Sequence, residues 1–287
     1  MGSHSSHSLP EQLPEPTTPA GRDGLAALLA DPGRAVVALD FDGTLAPIVP
    51  DPDQARAHPD AVPVLARLAP VLRSVVIVTG RPAEIAVRHG GFAGVPGLEH
   101  LVVLGAYGAE RWDAATGETR TPPPHPGVAA VRKELPGVLE EAGAPEGIRI
   151  EDKGRAVAVH TRRAADPTAA FELLREPLRG LAERHGLAVE PGRFVLELRS
   201  PGVDKGRALA DFLRETGAGS VLYGGDDLGD LAAYDAVDRL RAEGVPGVLV
   251  CSGSEEVTAL AERADLVVDG PSGVVGLLGR LADVLAD

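Results

Sequence analysis

The chain has 287 residues, 44% of them hydrophobic, and sets 42 acidic against 28 basic side chains for a formal charge of −14. That acidity repels nucleic acid and anionic membrane surfaces at long range, and no apolar run approaches the roughly 20 residues needed to span a bilayer. A single cysteine, Cys251, excludes an internal disulfide framework and a cysteine-rich metal cluster; after the apolar run 247–250 it reads as a core thiol.

Residues 1–21 are rich in Ser, His, Pro and Glu and hold too little apolar surface to repay ordering, so they are expected to form a disordered tail with His4 and His7 solvated. The N-terminus lacks the charged and apolar regions of a secretion signal, and the expected location is cytoplasmic. Short apolar runs then recur at 35–39, 74–78, 100–104, 220–223, 247–250 and 265–268, with helical stretches between them. Hydrophobicity that is continuous rather than alternating marks strands covered on both faces, hence an α/β fold with a Rossmann-like, largely parallel sheet. Helical spacing is clear over 206–213, 255–263 and 274–284, with Ser272 a candidate cap for the last.

The stretch 113–198 has a different texture. A proline-rich connector (121–126) leads to a helix over 128–141, a partly alternating strand over 148–162, a helix over 167–185 and a strand pair around 187–198 broken at Pro191-Gly192. Segregated strands and helices indicate a smaller α+β module inserted into the parallel-sheet core, which is then 22–112 plus 199–287.

Chemistry concentrates at four stations. The strand ending at Leu39 runs into Asp40-Phe41-Asp42-Gly43-Thr44, where carboxylates two apart leave a strand on one side. Gly43 permits a sharp turn and Thr44 adds a hydroxyl. Such a pair can hold Mg²⁺ through oxygen while one carboxylate attacks phosphorus; an acidic strand-end turn is the alternative reading of this run taken alone. Thr79-Gly80-Arg81 follows a strand and precedes a helix start at Pro82, a natural phosphate cradle. Lys205, after Asp204 at another helix start, is by itself an ordinary surface lysine, but beside the acids it would neutralise phosphate and nucleophile. The run Gly225-Asp226-Asp227-Leu228-Gly229-Asp230 clusters carboxylates that a hard cation would relieve, with helix N-terminal complementarity the alternative for Asp230.

In this order the four stations resemble the haloacid dehalogenase superfamily of aspartate-nucleophile phosphatases, over most of residues 35–270. A narrower likeness lies in Gly105-Ala106-Tyr107-Gly108-Ala109-Glu110, Glu151-Asp152-Lys153-Gly154, Val159-His160-Thr161-Arg162 and Glu197-Leu198-Arg199, which look like the trehalose-6-phosphate phosphatases. Thr79 stands where that family usually has Ser, Tyr107 where it has His, and the acidic run after Asp226 is shorter. The resemblance implies a core with an inserted cap, in which Glu151, Lys153, Arg162 and Glu197 bind sugar hydroxyls. On residue types alone, Glu151 with Lys153 is also an exposed ion pair, Arg162 a solvated strand end, and His160 a structural hydrogen-bonding group.

The expected mechanism has Asp40 as nucleophile and Asp42 as general acid and base. Mg²⁺ is expected on Asp40, the backbone carbonyl of Asp42 and Asp226, with Asp227 or Asp230 in support. Thr79, the Gly80 amide and Lys205 would receive the phosphoryl group, with Thr44, Arg81 and Tyr107 at the pocket edge. The expected product is trehalose. The resemblance implies a trehalose-6-phosphate synthase as functional partner, and the expected state is a monomer with no nucleic-acid or membrane partner. Another sugar phosphate, such as sucrose 6-phosphate or a glycosyl-glycerate ester, a mutase-type transfer, and a silent regulator of a synthase stand as alternatives. A pure binder, however, has no need of a nucleophile beside an acid.

Overall fold

A computed structural model describes residues 13–253 and 258–286, which divide into two compact units: one made of the chain up to Thr121 together with Asp204 onward, the other Pro122–Val203.

In the first unit, helix α1 (Pro19–Ala30) precedes strand β1 (Ala35–Leu39), followed by α2 (Ala61–Leu68), β2 (Ser74–Val78), α3 (Ala83–Gly90) and β3 (Leu101–Gly105). A hairpin of β4 (Glu110–Asp113) and β5 (Glu118–Arg120) ends this half. In the second unit come α4 (Pro126–Glu141), β6 (Arg149–Asp152), β7 (Ala156–His160), α5 (Pro167–Arg184), β8 (Ala188–Gly192) and β9 (Val195–Arg199). The first unit resumes with α6 (Lys205–Thr216), β10 (Ser220–Gly225), α7 (Leu231–Ala242), β11 (Gly247–Gly253), α8 (Thr258–Ala261), β12 (Leu266–Asp269) and α9 (Gly270–Ala286).

The eight-stranded sheet of the first unit runs β12-β11-β10-β1-β2-β3-β4-β5. From β12 to β3 every pairing is parallel, and only the β4–β5 extension is antiparallel. Alternate residues feed two cores. Val37, Leu39, Val75, Ile77 and Val103 pack beneath α1, α2, α3 and α9 through Leu25, Leu28, Leu65, Val87 and Leu278. Val36, Ala38, Val76, Val78 and Tyr223 pack under α6, α7 and α8 through Leu209, Phe212, Tyr234, Val237 and Leu260. Two-sided burial is why these strands read as unbroken apolar runs. Successive strands step outward from β1 in both directions, so the carboxyl ends of β1, β2 and β10 meet at the topological switch point, where open α/β sheets place their ligands.

The second unit is an antiparallel sheet, β6-β7-β9-β8, with α4 and α5 on one face. Val157, Val159, Leu196 and Leu198 point toward Val131, Leu135, Leu174 and Leu178, leaving the alternate residues on the opposite face. Among the described residues no helix is long and apolar enough to cross a membrane.

The structure departs from the sequence expectation in several places. The inserted module spans Pro122–Val203 rather than 113–198, because 113–120 continues the first unit's sheet as part of the β4–β5 hairpin. Residues 1–12 lie outside the described residues, but 13–21 are ordered rather than tail-like: Leu13 is buried, and Thr17 N donates to Asp265 O at 2.9 Å. Thr18 caps α1, accepting from Gly21 N at 3.0 Å and donating to the buried Asp265 carboxylate. The anchor is a charged group far along the chain, which local composition does not reveal. Ser272 falls inside α9, because that helix begins at Gly270, directly after β12. Of the helix expected over 255–263, Thr258–Ala261 is helical, and 255–257 lie outside the described residues.

Thr18→Ala removes both the cap and a partner of Asp265, and should lower unfolding free energy by about 1–2 kcal/mol. Urea denaturation checks this: a shifted midpoint at unchanged m value is expected.

Candidate active site

Where β1 ends, Asp40 N still donates to Gly224 O of β10 at 2.8 Å, so the chain leaves the sheet with its first acid fixed. The turn that follows needs glycine. Gly43 has φ +74°, and a Cβ there would lie 1.9 Å from Asp226 Oδ2. Ser252, near the end of β11, donates to Gly43 O at 2.6 Å and clamps the turn to the neighbouring strand.

Asp40, Asp226 and Asp230 are all buried, with one carboxylate oxygen of each within 4.8 Å of the others. Lys205, the first residue of α6, donates to Asp40 Oδ1 at 2.9 Å and to Asp230 Oδ1 at 2.8 Å. Asp230 also accepts from Tyr223 Oη at 2.6 Å and from the amides of Asp226 (3.0 Å) and Asp227 (3.2 Å). Four donors occupy its two oxygens, which suits Asp230 to hold the cluster's shape. Asp226 Oδ1, by contrast, is buried with no hydrogen-bond partner.

Charge explains the remainder. Burial drives the Asp40 carboxyl well above the usual carboxylate range, and Asp230 and Asp226 add to this while Lys205 opposes it. Burial, reinforced by Asp230 and Asp227, pushes Asp226 up to about 8. Burial disfavours the Lys205 ammonium too, but Asp230 and Asp40 outweigh it and hold the amine firmly protonated. Three buried carboxylates set against one ammonium leave a surplus of negative charge. A hard divalent cation accepted by Asp226 Oδ1 and Asp40 fits that donor set.

The other expected metal residues point elsewhere. Asp227 is exposed, and its carboxylate accepts from Gly229 N at 2.8 Å, capping the turn over Leu228–Asp230. Asp42 meets Arg81 in a bidentate pair, with Nε to Oδ2 at 2.6 Å and Nη2 to Oδ1 at 2.7 Å. Thr44 is fully buried and its hydroxyl lacks a partner.

At the end of β2, Thr79 Oγ1 accepts from Arg81 N at 3.1 Å, and Tyr107 N returns to Thr79 O at 2.9 Å. Ala106 and Tyr107 both take left-handed backbone, φ +48° and +58°, which folds the segment after β3 back over this loop. A Cβ on Gly80 would lie 2.8 Å from the Tyr107 ring, so glycine is what lets the aromatic lie against the cradle. Helix α3 begins beside it without a capping side chain of its own, and Glu110 of β4 supplies one, accepting from Ala83 N at 2.8 Å.

The second unit carries its own constellation. Glu151, Ala158, Glu197 and Glu190 stand opposite one another across β6, β7, β9 and β8, on the face away from the helices. Glu151 pairs with His160 Nε2 at 2.7 Å, a bond that holds its carboxyl below the ordinary value. Lys153 Nζ meets Glu197 at 2.6 Å, and Arg199 meets Glu190 at 2.9 Å. Arg162 is exposed, just beyond the end of β7.

The profile of the trehalose-phosphatase family matches residues 38–267. The trehalose-phosphate phosphatase of Mycobacterium avium (strain 104) is 33% identical over 285 residues, spanning 96% of this chain and 68% of the relative. The chain belongs to the trehalose-phosphatase family. Like the other members of that family it is a phosphoric monoester hydrolase. The fold agrees: the C-terminal domain of Candida albicans trehalose-6-phosphate phosphatase superposes with a TM-score of 0.70 at 21% identity, over 94% of this chain and 99% of that one. A haloacid dehalogenase-like hydrolase from Bacteroides thetaiotaomicron superposes at 0.56 with 18% identity, over 86% and 99%.

Sequence reasoning missed several supporting groups in this family member. Tyr223 falls in the apolar run 220–223 and Glu110 ends the Gly105–Glu110 likeness, and neither carries a local signal of its partner. Glu190 and Arg199 were legible in principle, since alternation along β9 puts Arg199 on the Glu197 face.

Because Asp226 is raised toward 8, the metal-free chain loses stability from this group as pH climbs from the ordinary carboxyl value toward 8. Asp226→Asn should abolish that loss. In chelator above pH 8 it should raise the melting temperature by at least about 2 °C, the shift given by ~1 kcal/mol in a chain of this size, while removing the rise expected when Mg²⁺ is added to the parent. Calorimetry with and without Mg²⁺ checks both signs.

Proposed function

We propose that the chain hydrolyses trehalose 6-phosphate to trehalose and phosphate, with Mg²⁺ as cofactor and a phosphate ester on Asp40 as intermediate. The observation that carries the reading is the buried Asp40 carboxylate held by Lys205 at 2.9 Å inside a three-acid cluster, in a chain of this family. Asp40, Asp226 and the carbonyl of Asp42 would hold the cation, with Asp230 fixing the arrangement. When bound, Mg²⁺ supplies positive charge to the nucleophile and the phosphoryl oxygens.

In the first step an Asp40 oxygen bonds to phosphorus as the P–O bond to the sugar breaks, and the protonated Asp42 gives its proton to the departing sugar oxygen. In the second, Asp42 takes a proton from water as that water bonds to phosphorus, and the Asp40–phosphorus bond breaks to release phosphate. Lys205, Thr79 and the Gly80 amide stabilise charge on the transferring group, with Thr44, Arg81 and Tyr107 around it.

The second unit, Pro122–Val203, acts as the cap that selects the sugar, through Glu151, Lys153, Arg162 and Glu197. Fixed acids and cations suit a disaccharide because each hydroxyl both donates and accepts, and charged partners strengthen each bond. On the strength of the family resemblance, the acting form is taken as a cytoplasmic monomer that consumes the product of a trehalose-6-phosphate synthase.

Phosphate release from trehalose 6-phosphate, sucrose 6-phosphate and glucose 6-phosphate, with Mg²⁺ and with chelator, tests the assignment directly. Turnover is expected for the first alone and only with metal; preference for another ester would replace the substrate, and metal-independent turnover would remove the cofactor. Asp40→Asn should cost at least about 10³-fold in kcat with the fold retained. Lys153→Ala should lower kcat/KM on trehalose 6-phosphate at least about tenfold more than on 4-nitrophenyl phosphate, the loss of one charged hydrogen bond. Equal losses on both esters would contradict the cap's role.

A further inference from the structure

His89 is a buried histidine in the last turn of α3, 4% exposed, and the mechanism above does not use it. Its Nδ1 lies 3.4 Å from Arg81 Nη1. The other guanidinium nitrogens are already engaged: Nε and Nη2 grip the Asp42 carboxylate, and Nη2 also donates to Pro52 O at 3.0 Å. The guanidinium carbon lies 5.8 Å from the centroid of the Phe41 ring. The backbone carbonyl of His89 accepts from Ala57 N at 3.2 Å, which fixes where the imidazole starts.

We propose that His89 is a positioning residue: its Nδ1 accepts from Arg81 Nη1 and thereby sets the angle of the guanidinium fork that holds the carboxylate of Asp42. The inference rests on Asp42 being the general acid and base. An arginine has no acceptor, so the bond exists only while the imidazole is neutral with its proton on Nε2. The surroundings enforce that state. Burial lowers the pKa of His89, and the charges of Arg56, Arg81 and Arg88 lower it further, against the single opposing pull of Asp53. Once protonated, Nδ1–H would face a second cation, and the fork would lose its third anchor. His89 thus contributes alignment at neutral pH and withdraws it as pH falls below the ordinary histidine value.

The test compares the full-length chain with His89→Asn, His89→Ala and Asp42→Ala, using trehalose 6-phosphate and Mg²⁺. Asn presents an oxygen where Nδ1 stands and does not titrate. His89→Ala should lower kcat about tenfold with KM within about twofold, and His89→Asn should recover most of the loss. The ratio of His89→Asn to parent kcat should rise as pH is taken from about 7.5 down to about 4.5, because burial and the neighbouring arginines place the transition below the ordinary histidine value; substrate titration cancels in the ratio. If the alanine variant melts below the assay temperature, the asparagine ratio still decides. A flat ratio, or equal kcat for the Ala and Asn variants, overturns the proposal. Near-parent turnover by Asp42→Ala sinks the reading of Asp42 and this inference with it, whereas an inactive Asp42→Ala beside a fully active His89→Ala sinks the His89 assignment alone.

Discussion

One lysine ammonium shared between two buried carboxylates is the interaction on which the rest of the first unit depends. Lys205 sits between Asp40 and Asp230, and Asp226 lies close enough to feel both acids. Such a group of charges is costly to bury, and it persists only because its members are partnered. Asp230 is saturated by a lysine, a tyrosine and two amides, while Asp40 has the lysine. The remaining deficit falls on Asp226, whose Oδ1 has no donor. A site built with more acids than its own lysine can balance is poised for an external cation, and the same imbalance makes it a local weakness of the metal-free fold.

The sheet delivers these groups to one place. Asp40 leaves β1, Thr79 follows β2 and Asp226 follows β10, three adjacent parallel strands whose carboxyl ends point the same way. Lys205 and Asp230 come from the segments that pack behind β10. Around this rigid frame the fine positioning is done by backbone that few residues tolerate: a left-handed Gly43 against Asp226, and left-handed Ala106 and Tyr107 against Gly80. Two consecutive non-glycine residues at positive φ cost of order 1 kcal/mol or more each. Here they are held by the return hydrogen bonds to Thr79 O and Arg81 O.

The parallel strands were legible because burial on both faces makes each a continuous apolar run, and the acid motifs because they stand at strand ends. The helices of the inserted segment were legible from spacing, and its strand over 148–162 proved to be a hairpin turning after Asp152. What escaped was set by distant partners. Helix α1 is short of large apolar side chains, and its start is tied to Asp265, a residue that sequence order keeps far away. The β4–β5 hairpin is a run of charges that alternation alone does not mark. His89 looks like an ordinary helix residue until folding places it against Arg81. Local pattern encodes elements and strand ends; the second partner of a charged group is a property of the packed chain.

The two cations that grip the acids of this site, Lys205 and Arg81, are not interchangeable. A lysine ammonium carries three protons, and at Lys205 two of them reach Asp40 and Asp230; on the proposed mechanism the third meets a phosphoryl oxygen. Arg81 spreads its donors over Asp42, Pro52 and His89, leaving a planar fork whose angle is already set. On the proposed mechanism, charge at phosphorus then rests on Lys205 with the bound metal, and the alignment of the proton carrier rests on Arg81. Exchanging lysine for arginine at 205 would force a wide, rigid group into a space shaped by two carboxylates, and the reverse exchange at 81 would trade a bidentate grip on Asp42 for a single swivelling contact. The chemistry at this switch point therefore depends on which kind of cation occupies each place as much as on total charge.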